Sequence, residues 1–391
     1  MQTKVKRRPF GNTGLYVSEV ALGAMNLRML ENSAEGKKQL HFVLDQGITL
    51  IDTARAYNGV TKSGEPVESE RLVGEVLRER TDIDEPIVIV TKGHAYTPEG
   101  FDEDFSTSIR TLGVEKRDGK LYIGNVEIKL VYFFHGIKED RWLPMVQTNV
   151  VEYAQKRQAD GDFTYLGFSA HYGDAEQIKW AIDTGAMQVM ELPYNVYNRS
   201  IGEDGEFDAL SYAHERGVAI INMKCFNGNG MVPATKIIRE VCNIDHSDML
   251  RFSLSNPNIS CIDAGARYIE EFAADIEASL KPAMTLEERQ TLKEKADQVS
   301  GLFHNICREC MHCLEKFACP QGIAFPEILG IHARYTMAKA LDADAKPYID
   351  QYKAMSGPLA EACVGCGGCS QWCEYHLDIP EMMQKVLADF E

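Results

Sequence analysis

The five residues IVIVT at positions 87–91, followed at once by Lys92, decide the fold class of this 391-residue chain. All five are β-branched residues of the kind that favours strands, and neither face of the run carries a charge. A strand of this composition is covered on both faces, as in a parallel sheet flanked by helices. The run therefore predicts an α/β fold.

Seven other apolar runs repeat this pattern. The predicted strands are 17–24, 48–52, 87–91, 128–134, 164–169, 188–192, 218–223 and 259–264. The predicted helices between and after them are 34–46, 68–79, 101–112, 174–184, 205–216, 234–255 and 268–279. Eight strands alternating with helices predict a (β/α)8 TIM barrel. A doubly wound open sheet is the alternative fold, but LGAMNLRML at 22–30 is a poor match to its glycine-rich phosphate loop.

Three segments interrupt or follow the barrel pattern. Residues 114–127 predict an inserted hairpin that turns at Asp118-Gly119 or at Gly124-Asn125. A helix is predicted over 285–300, where Thr285 and Glu288 form a capping pattern, and it would connect the barrel to the tail. A second helix is predicted over 325–341.

Charge and hydropathy exclude several classes of partner. The chain has 58 acidic and 41 basic residues and a net charge of −17, which disfavours nucleic acid and anionic membranes as partners. Mean hydropathy is −0.26, and no apolar run is long enough to span a bilayer. The basic start, MQTKVKRRPFGNTG, is followed by no apolar signal segment. We therefore expect a cytoplasmic protein that acts on a small molecule.

Four polar residues follow predicted barrel strands at the end where barrel enzymes place their chemistry. Asp52, Lys92 and His135 each follow an apolar run directly, and Tyr57 lies in the loop after the second strand. A lysine ammonium favours the phenolate of a nearby tyrosine and makes it a better acid. An aspartate can hold that lysine, and a histidine can orient a substrate carbonyl. Each residue alone is more often structural, but the set predicts a proton-delivery site.

The motifs around these residues match a known family. They are IDTARAYNG at 51–59, VESERLVGEVL at 67–77, VTKG at 90–93 and VYFFHG at 131–136. With later segments, they make residues 8–280 resemble the aldo-keto reductase superfamily. The resemblance implies a (β/α)8 barrel and the catalytic tetrad Asp52, Tyr57, Lys92 and His135, with Tyr57 as proton donor. It also implies carbonyl reduction by hydride from a nicotinamide cofactor.

The same resemblance implies a set of NAD(P)H contacts, from which this chain departs. The implied positions are Ser169, Glu191, Met223, Lys224, Arg267 and Asp275. Glu191 replaces the usual Gln, and Met223 replaces a stacking aromatic. Gly265-Ala266 replace a Lys-Ser pair, and Glu271 replaces an Arg, in the pocket that holds a 2′-phosphate. A carboxylate repels that phosphate. We therefore expect weak nicotinamide binding, with NADPH bound no better than NADH.

Eight of the 11 cysteines lie in two groups near the end of the chain. The groups are Cys307-x2-Cys310-x2-Cys313-x5-Cys319 and Cys363-x2-Cys366-x2-Cys369-x3-Cys373. Triplets at this spacing with a fourth cysteine further on are typical of two [4Fe–4S] clusters. Zinc is the alternative, but four-cysteine zinc sites use two separated CxxC pairs.

The tail resembles the two-[4Fe–4S] ferredoxin module that some aldo-keto reductases carry. This resemblance implies that Cys307, Cys310, Cys313 and Cys373 hold one cluster, and that Cys319, Cys363, Cys366 and Cys369 hold the other. The gap before Cys319 is longer than in the module, and Glu374 replaces the usual proline. The predicted domains are a barrel at 1–281, a helical connector at 282–306 and a ferredoxin-like iron–sulfur domain at 307–391.

Together these features predict an iron–sulfur oxidoreductase that interconverts a carbonyl and an alcohol. Its clusters would relay electrons to or from a one-electron partner protein such as ferredoxin. In the alternative, the clusters feed single electrons directly to the substrate without a nicotinamide. A third hypothesis makes the barrel a binding scaffold and the tail a docking module, but the complete tetrad argues against it.

Overall fold

A computed structural model describes residues 5–137, 139–170, 175–226, 244–303, 306–307, 312–373 and 375–390. These residues form two compact units. The first contains the described residues up to Cys225 together with Leu250–Met284, and the second contains Phe226, 244–249 and the described residues from Thr285 onward. The predicted domain limits of 1–281, 282–306 and 307–391 stay a prediction.

The first unit is built on eight parallel strands. They are β1 (Val20–Gly23), β2 (Leu50–Asp52), β3 (Ile87–Gly93), β4 (Val126–Phe134), β5 (Tyr165–Ser169), β6 (Val189–Pro193), β7 (Ala219–Met223) and β8 (Cys261–Ala264). Each strand pairs in parallel with the next, and β8 pairs with β1. The ring is therefore closed, which confirms the α/β TIM barrel and excludes the open sheet.

Helices follow the strands along the chain. They are α1 (Ser33–Asp45), α2 (Ser69–Glu79), α3 (Pro98–Leu112), α4 (Glu139–Thr148), α5 (Val150–Ala159), α6 (Ala175–Asp183), α7 (Ala209–Glu215), α8 (His246–Leu254) and α9 (Ile269–Leu280). Helices α4 and α5 were not predicted, because Pro144 inside α4 and the left-handed Asn149 between them interrupt the helical pattern. Residues 234–243 of the predicted helix 234–255 lie outside the described residues.

The predicted first strand, 17–24, is wrong as a single element. Tyr16–Ser18 forms an antiparallel hairpin with Arg7–Pro9, and only Val20–Gly23 enters the barrel. Glu19 separates the two pieces: its backbone N–H donates to the Lys6 carbonyl at 2.9 Å, and its carboxylate accepts from Arg8 Nε at 2.6 Å. These contacts turn the chain from the hairpin into the barrel.

The predicted insertion at 114–127 is confirmed, and it uses both candidate turns. Val114–Arg117 pairs with Lys120–Ile123, which pairs in turn with the start of β4. Asp118 and Gly119 have φ of 49° and 77°, the left-handed geometry of a tight hairpin turn. A further small hairpin joins Asn58–Val60 to Pro66–Glu68, and a 3₁₀ helix covers Ala24–Met29.

The alternation of side chains along the strands explains where the polar groups lie. Leu50, Val90, Val189 and Cys261 belong to one buried apolar cluster inside the barrel. Residues two positions further along a strand share the same face. These residues are Asp52, Lys92, Glu191 and Asp263. The apolar interior therefore ends in a polar layer at the carboxyl ends of the strands.

The second unit is mostly helical. Its elements from Leu286 onward are α10 (Leu286–Phe303), α11 (His312–Lys316), α12 (Phe325–Ala340), α13 (Lys346–Lys353), α14 (Ile379–Phe390) and the 3₁₀ helices Ala360–Ala362 and Ser370–Trp372. The helices predicted over 285–300 and 325–341 are confirmed as α10 and α12. Ile328 and Leu329 of α12 pack in one apolar core with Met383 and Val386 of α14. Among the described residues, no helix is both long and apolar enough to cross a membrane.

Candidate active site

Lys92 is the centre of the polar layer at the barrel mouth. Its ammonium donates to Asp52 Oδ1 and to the Thr53 carbonyl at 3.3 Å, and it lies 3.4 Å from Glu191 Oε2. The side chains of Lys92 and Asp52 are each 1% exposed. Lys92 is therefore a buried cation held by two carboxyl groups and a backbone carbonyl.

Tyr57 lies directly beside this cation. Its backbone N–H donates to the Ala54 carbonyl, and its own carbonyl accepts from the Ser69 N–H, both at 2.9 Å. The Lys92 ammonium lies 5.2 Å from the centre of the Tyr57 ring. The His135 ring meets the Tyr57 ring edge-on, with 5.9 Å between centres. The structure thus brings the four predicted tetrad residues together, and their catalytic roles stay predictions.

His135 is held by its backbone and by a second histidine. Its N–H donates to the Gly93 carbonyl at 2.9 Å, and its carbonyl accepts from the Tyr96 hydroxyl at 2.7 Å. His94 stacks on the His135 ring with 4.3 Å between centres. Burial lowers the pKa of His94, and the charge of Arg141 lowers it further. The sequence analysis missed His94, although it follows the Lys92-Gly93 strand end directly.

Asp263 is a third carboxyl group at the mouth that the sequence analysis also missed. One carboxyl oxygen from each of Asp52, Glu191 and Asp263 lies within 4.8 Å of one from each of the others. A search for polar residues at strand ends would have found Asp263, because it is the last polar residue of β8. Three such oxygens could bind a metal ion, but the Lys92 ammonium already supplies positive charge there.

Burial and mutual repulsion control the ionisation of this layer. Burial raises the pKa of Asp52 to about 8, and the charge of Glu191 adds to this effect while Lys92 opposes it. Burial also raises the pKa of Asp263, as do the charges of Asp52 and Glu191. Burial alone would lower the pKa of Lys92, but Asp52 and Glu191 hold that pKa well above its usual value. Lys92 is therefore charged at neutral pH.

Tyr57 keeps its proton in the resting site. Burial raises the pKa of its hydroxyl, the Lys92 ammonium opposes that rise, and the nearby carboxylates add to it. A neutral phenol beside a fixed cation can donate a proton when negative charge develops on a bound substrate oxygen.

The predicted nicotinamide contacts are mostly engaged within the protein. Ser169 Oγ accepts from the Gly136 N–H at 2.9 Å, and Glu191 lies against Lys92. Arg267 donates to Glu271 through both its backbone N–H, at 2.8 Å, and its guanidinium, at 3.3 Å. Since Glu271 already neutralises Arg267, this pair does not fit a 2′-phosphate.

The other three predicted contacts have different surroundings. Met223 is buried at the end of β7, and Asp275 is buried in α9. Lys224 is exposed, has a left-handed φ of 56°, and accepts at its carbonyl from Asn195 Nδ2 at 2.9 Å.

The cysteine segments lie around the apolar core of the second unit. Cys313 and Cys369 are buried in that core, and four other cysteines pack at its edge: Cys307, Cys319, Cys363 and Cys373. Cys366 is exposed, and Cys310 lies outside the described residues. The structure therefore gathers thiols from both sequence groups around one core.

Phe317 and Gly368 join the two cysteine groups directly. A Cβ atom on Gly368 would lie 2.4 Å from the Phe317 ring, so glycine lets the two segments approach this closely without displacing that ring. Gly365 and Gly367 take left-handed φ values of 68° and 71° between the thiols of the second group. Burial raises the pKa of Cys369 to about 11, and its neighbours Cys366 and Cys363 contribute to that rise. Clustered thiols in an apolar setting fit iron–sulfur ligation.

The family model for aldo/keto reductases, "Aldo/keto reductase family", matches residues 19–288, which is more than half of the chain. The chain belongs to the aldo/keto reductase family. The match ends before the cysteine groups, so the family assignment does not extend to them.

The chain is also similar to individual proteins over part of its length. The chain is 35% identical over 99 residues to 6-dehydroglucose reductase of Novosphingobium aromaticivorans, covering 25% of this chain and 32% of that protein. It is 25% identical over 225 residues to L-galactose dehydrogenase of Arabidopsis thaliana, covering 56% of this chain and 65% of that protein. The chain thus spans a third to two thirds of the length of these relatives. The aldo-keto reductase AKR11C1 from Bacillus halodurans (holo form) shares the fold, with a TM-score of 0.58 at 22% identity over 74% of this chain and 96% of that one.

Proposed function

We propose that the barrel catalyses the interconversion of a carbonyl and an alcohol, with Tyr57 as proton donor. The position of the buried Lys92–Asp52 pair beside Tyr57 supports this function. Asp52 fixes Lys92, and the Lys92 ammonium stabilises the phenolate that forms when Tyr57 gives its proton to the substrate oxygen. His135, edge-on to the Tyr57 ring, orients that oxygen.

The substrate we propose is a small neutral carbonyl compound that carries hydroxyl groups. The names of two relatives, 6-dehydroglucose reductase and L-galactose dehydrogenase, refer to sugars. The three carboxyl groups at the mouth of this barrel disfavour an anionic substrate. Both observations favour a sugar-like aldehyde or ketone.

We also propose that the second unit holds two [4Fe–4S] clusters and exchanges electrons with a protein such as ferredoxin. The proposed ligands are Cys307, Cys310, Cys313 and Cys373 for one cluster and Cys319, Cys363, Cys366 and Cys369 for the other. When bound, such clusters supply single electrons. The contact of Phe317 with Gly368 supports a shared, ferredoxin-like fold for the two groups.

A second candidate is a reductase that uses no nicotinamide. The Arg267–Glu271 contact and the placement of Glu191 against Lys92 favour it, since both remove groups that would hold the dinucleotide. In this function, Tyr57 has the same role as proton donor, and the electrons come from the second unit.

One anaerobic assay tests the activity and separates the two candidates. Purified holoprotein is incubated with neutral sugar aldehydes and ketones and with carboxylated analogues, using NADH, NADPH or reduced methyl viologen as reductant. We expect alcohol product from neutral substrates, with NADPH no better than NADH. Product with viologen alone supports the second candidate. Failure to form alcohol with every reductant contradicts the proposed activity.

Metal analysis of the same preparation tests the clusters. Two cubanes require about eight iron and eight sulfide per chain. Stoichiometric zinc with negligible sulfide would overturn the iron–sulfur proposal.

A further inference from the structure

The carboxyl layer at the barrel mouth has more acceptors than donors. Asp52, Glu191 and Asp263 have oxygens within 4.8 Å of one another, and Lys92 is the ammonium that lies among them. Asp52 Oδ2 and Asp263 Oδ1 are buried and have no hydrogen-bond partner among the described residues. A buried acceptor without a donor is destabilising, because it has lost its hydrogen bonds to water and gained none in the protein. A proton on one carboxyl group would provide the missing donor.

We propose that Asp263, together with Asp52, retains a proton at neutral pH and returns it to Tyr57 through Lys92, with Glu191 as a positioning residue whose carboxylate holds the Lys92 ammonium. The role of Tyr57 in this proposal rests on the proposed function. Retention of the proton rests only on the geometry of the three carboxyl groups.

The proton transfers balance without any further reagent. After Tyr57 has protonated the substrate oxygen, its phenolate takes a proton from the Lys92 ammonium. The resulting amine takes the proton held by the Asp52 carboxyl group, to which Lys92 is hydrogen bonded. Lys92 is again charged, Tyr57 is again a phenol, and the cluster has become one charge more negative until it takes a proton from water.

The backbone of β1 makes room for this cluster. A Cβ atom on Gly23 would lie 2.7 Å from an Asp263 carboxyl oxygen. Glycine therefore lets the Asp263 carboxyl group lie close to the neighbouring strand. The fold therefore places a third carboxyl group beside Asp52 and Glu191, whose two charges the single Lys92 ammonium cannot fully neutralise.

The groups that face the cluster are few among the described residues. Lys92, on β3, interacts with the cluster through its charge, and so does Tyr57, in the loop after β2. His135 packs edge-on against the Tyr57 ring. Cys261 lies two residues before Asp263 on β8; burial raises the pKa of its thiol, and the charges of the cluster add to that rise. Ser169 and Met223, at the ends of β5 and β7, carry no charge. Lys92 is thus the cation that compensates the three carboxyl groups.

Infrared spectroscopy of the holoprotein tests proton retention without a substrate. We expect the C=O stretching band of a buried protonated carboxyl group at pH 7, and its loss as the pH rises past about 8. Asp263→Asn should shift or remove this band, whereas the matched control Asp118→Asn, in an exposed hairpin turn, should leave it unchanged. Absence of the band at pH 7, or an identical band in Asp263→Asn, would overturn the proposal.

The pH profile of turnover tests delivery of the proton. Glu191→Gln removes a negative charge that raises the pKa of Asp52, so the alkaline limb of kcat should move to lower pH by about one unit, a tenfold change in proton affinity. A purely structural role would lower kcat at every pH and leave the limb in place, and that result would overturn the relay. If the barrel reduces no carbonyl, the infrared band still shows whether the carboxyl cluster retains a proton. Failure of proton retention and failure of the proposed activity are therefore distinguishable.

Discussion

Replacement of Lys92 by methionine should destabilise the barrel in a strongly pH-dependent way. The substitution keeps most of the side-chain volume but removes the ammonium from Asp52, from Glu191 at 3.4 Å and from the Thr53 carbonyl at 3.3 Å. Loss of one partner from a buried ion pair costs about 3–5 kcal/mol. The cost should be largest near pH 9 and smaller near pH 6, because carboxyl groups that have lost their cation take up protons instead.

Thermal unfolding of the anaerobic holoprotein, followed by circular dichroism, measures this effect. A loss of 3–5 kcal/mol corresponds to a fall in Tm of roughly 6–20 °C for a domain of this size. The matched control is Lys129→Met. Lys129 Nζ contacts Glu127 at 2.7 Å, but its side chain is 26% exposed, so its ion pair should be worth about 1 kcal/mol or less. A Tm for Lys92→Met equal to that of Lys129→Met, or a larger loss at pH 6 than at pH 9, would refute the reasoning.

Three other predictions follow from the contacts described above. Gly368→Ala should cost the second unit about 1–3 kcal/mol of stability and lower its iron content, because the new Cβ would lie 2.4 Å from the Phe317 ring. The control is Gly301→Ala, whose new Cβ would have no atom within 4 Å. Equal iron content in both variants would contradict the prediction. The free energy of unfolding should fall between pH 6 and 9, because the folded pKa of Asp52, about 8, lies above that of an unfolded aspartate and the native state holds the extra proton. Urea denaturation should show a weaker pH dependence in Asp52→Asn than in the wild type. An unchanged slope of unfolding free energy against pH would count against this assignment. Calorimetry should give a Kd for NADPH that is no lower than the Kd for NADH. Glu271→Gln should strengthen NADPH binding, because it frees Arg267. Wild-type protein that binds NADPH tenfold more tightly than NADH would contradict this expectation.

The sequence predicted the barrel because each strand is apolar on both faces. IVIVT at 87–91 and IKLVYFF at 128–134 became β3 and β4 with only small changes at their ends. The strand predicted over 17–24 was wrong for a local reason. The contact between Glu19 and Arg8 lies where this apolar run divides between two sheets. Hydrophobic pattern alone does not show where a chain changes its pairing partner.

The tetrad was predictable because parallel strands bring their carboxyl ends to one rim. Asp52 and Lys92 needed no information beyond this rule, which applies equally to Asp263. The raised pKa of Asp263 was not predictable, because it depends on distances across the barrel between β2, β6 and β8. The i,i+4 spacing of Arg267 and Glu271 is compatible with an ion pair, but the hydrogen bond from the Arg267 backbone N–H to Glu271 depends on how the chain turns into α9.

The rate of the Tyr57→Phe variant tests the central claim most directly. This substitution removes one hydroxyl beside Lys92 and leaves the ring contact with His135 in place. The matched control is Tyr165→Phe, whose hydroxyl donates to the Thr13 carbonyl at the opposite end of the barrel. On a neutral carbonyl substrate, Tyr57→Phe should lower kcat by about 10²-fold or more with iron content unchanged, while Tyr165→Phe should retain turnover. Turnover by Tyr57→Phe equal to that of Tyr165→Phe would contradict the assignment of Tyr57 as the proton donor.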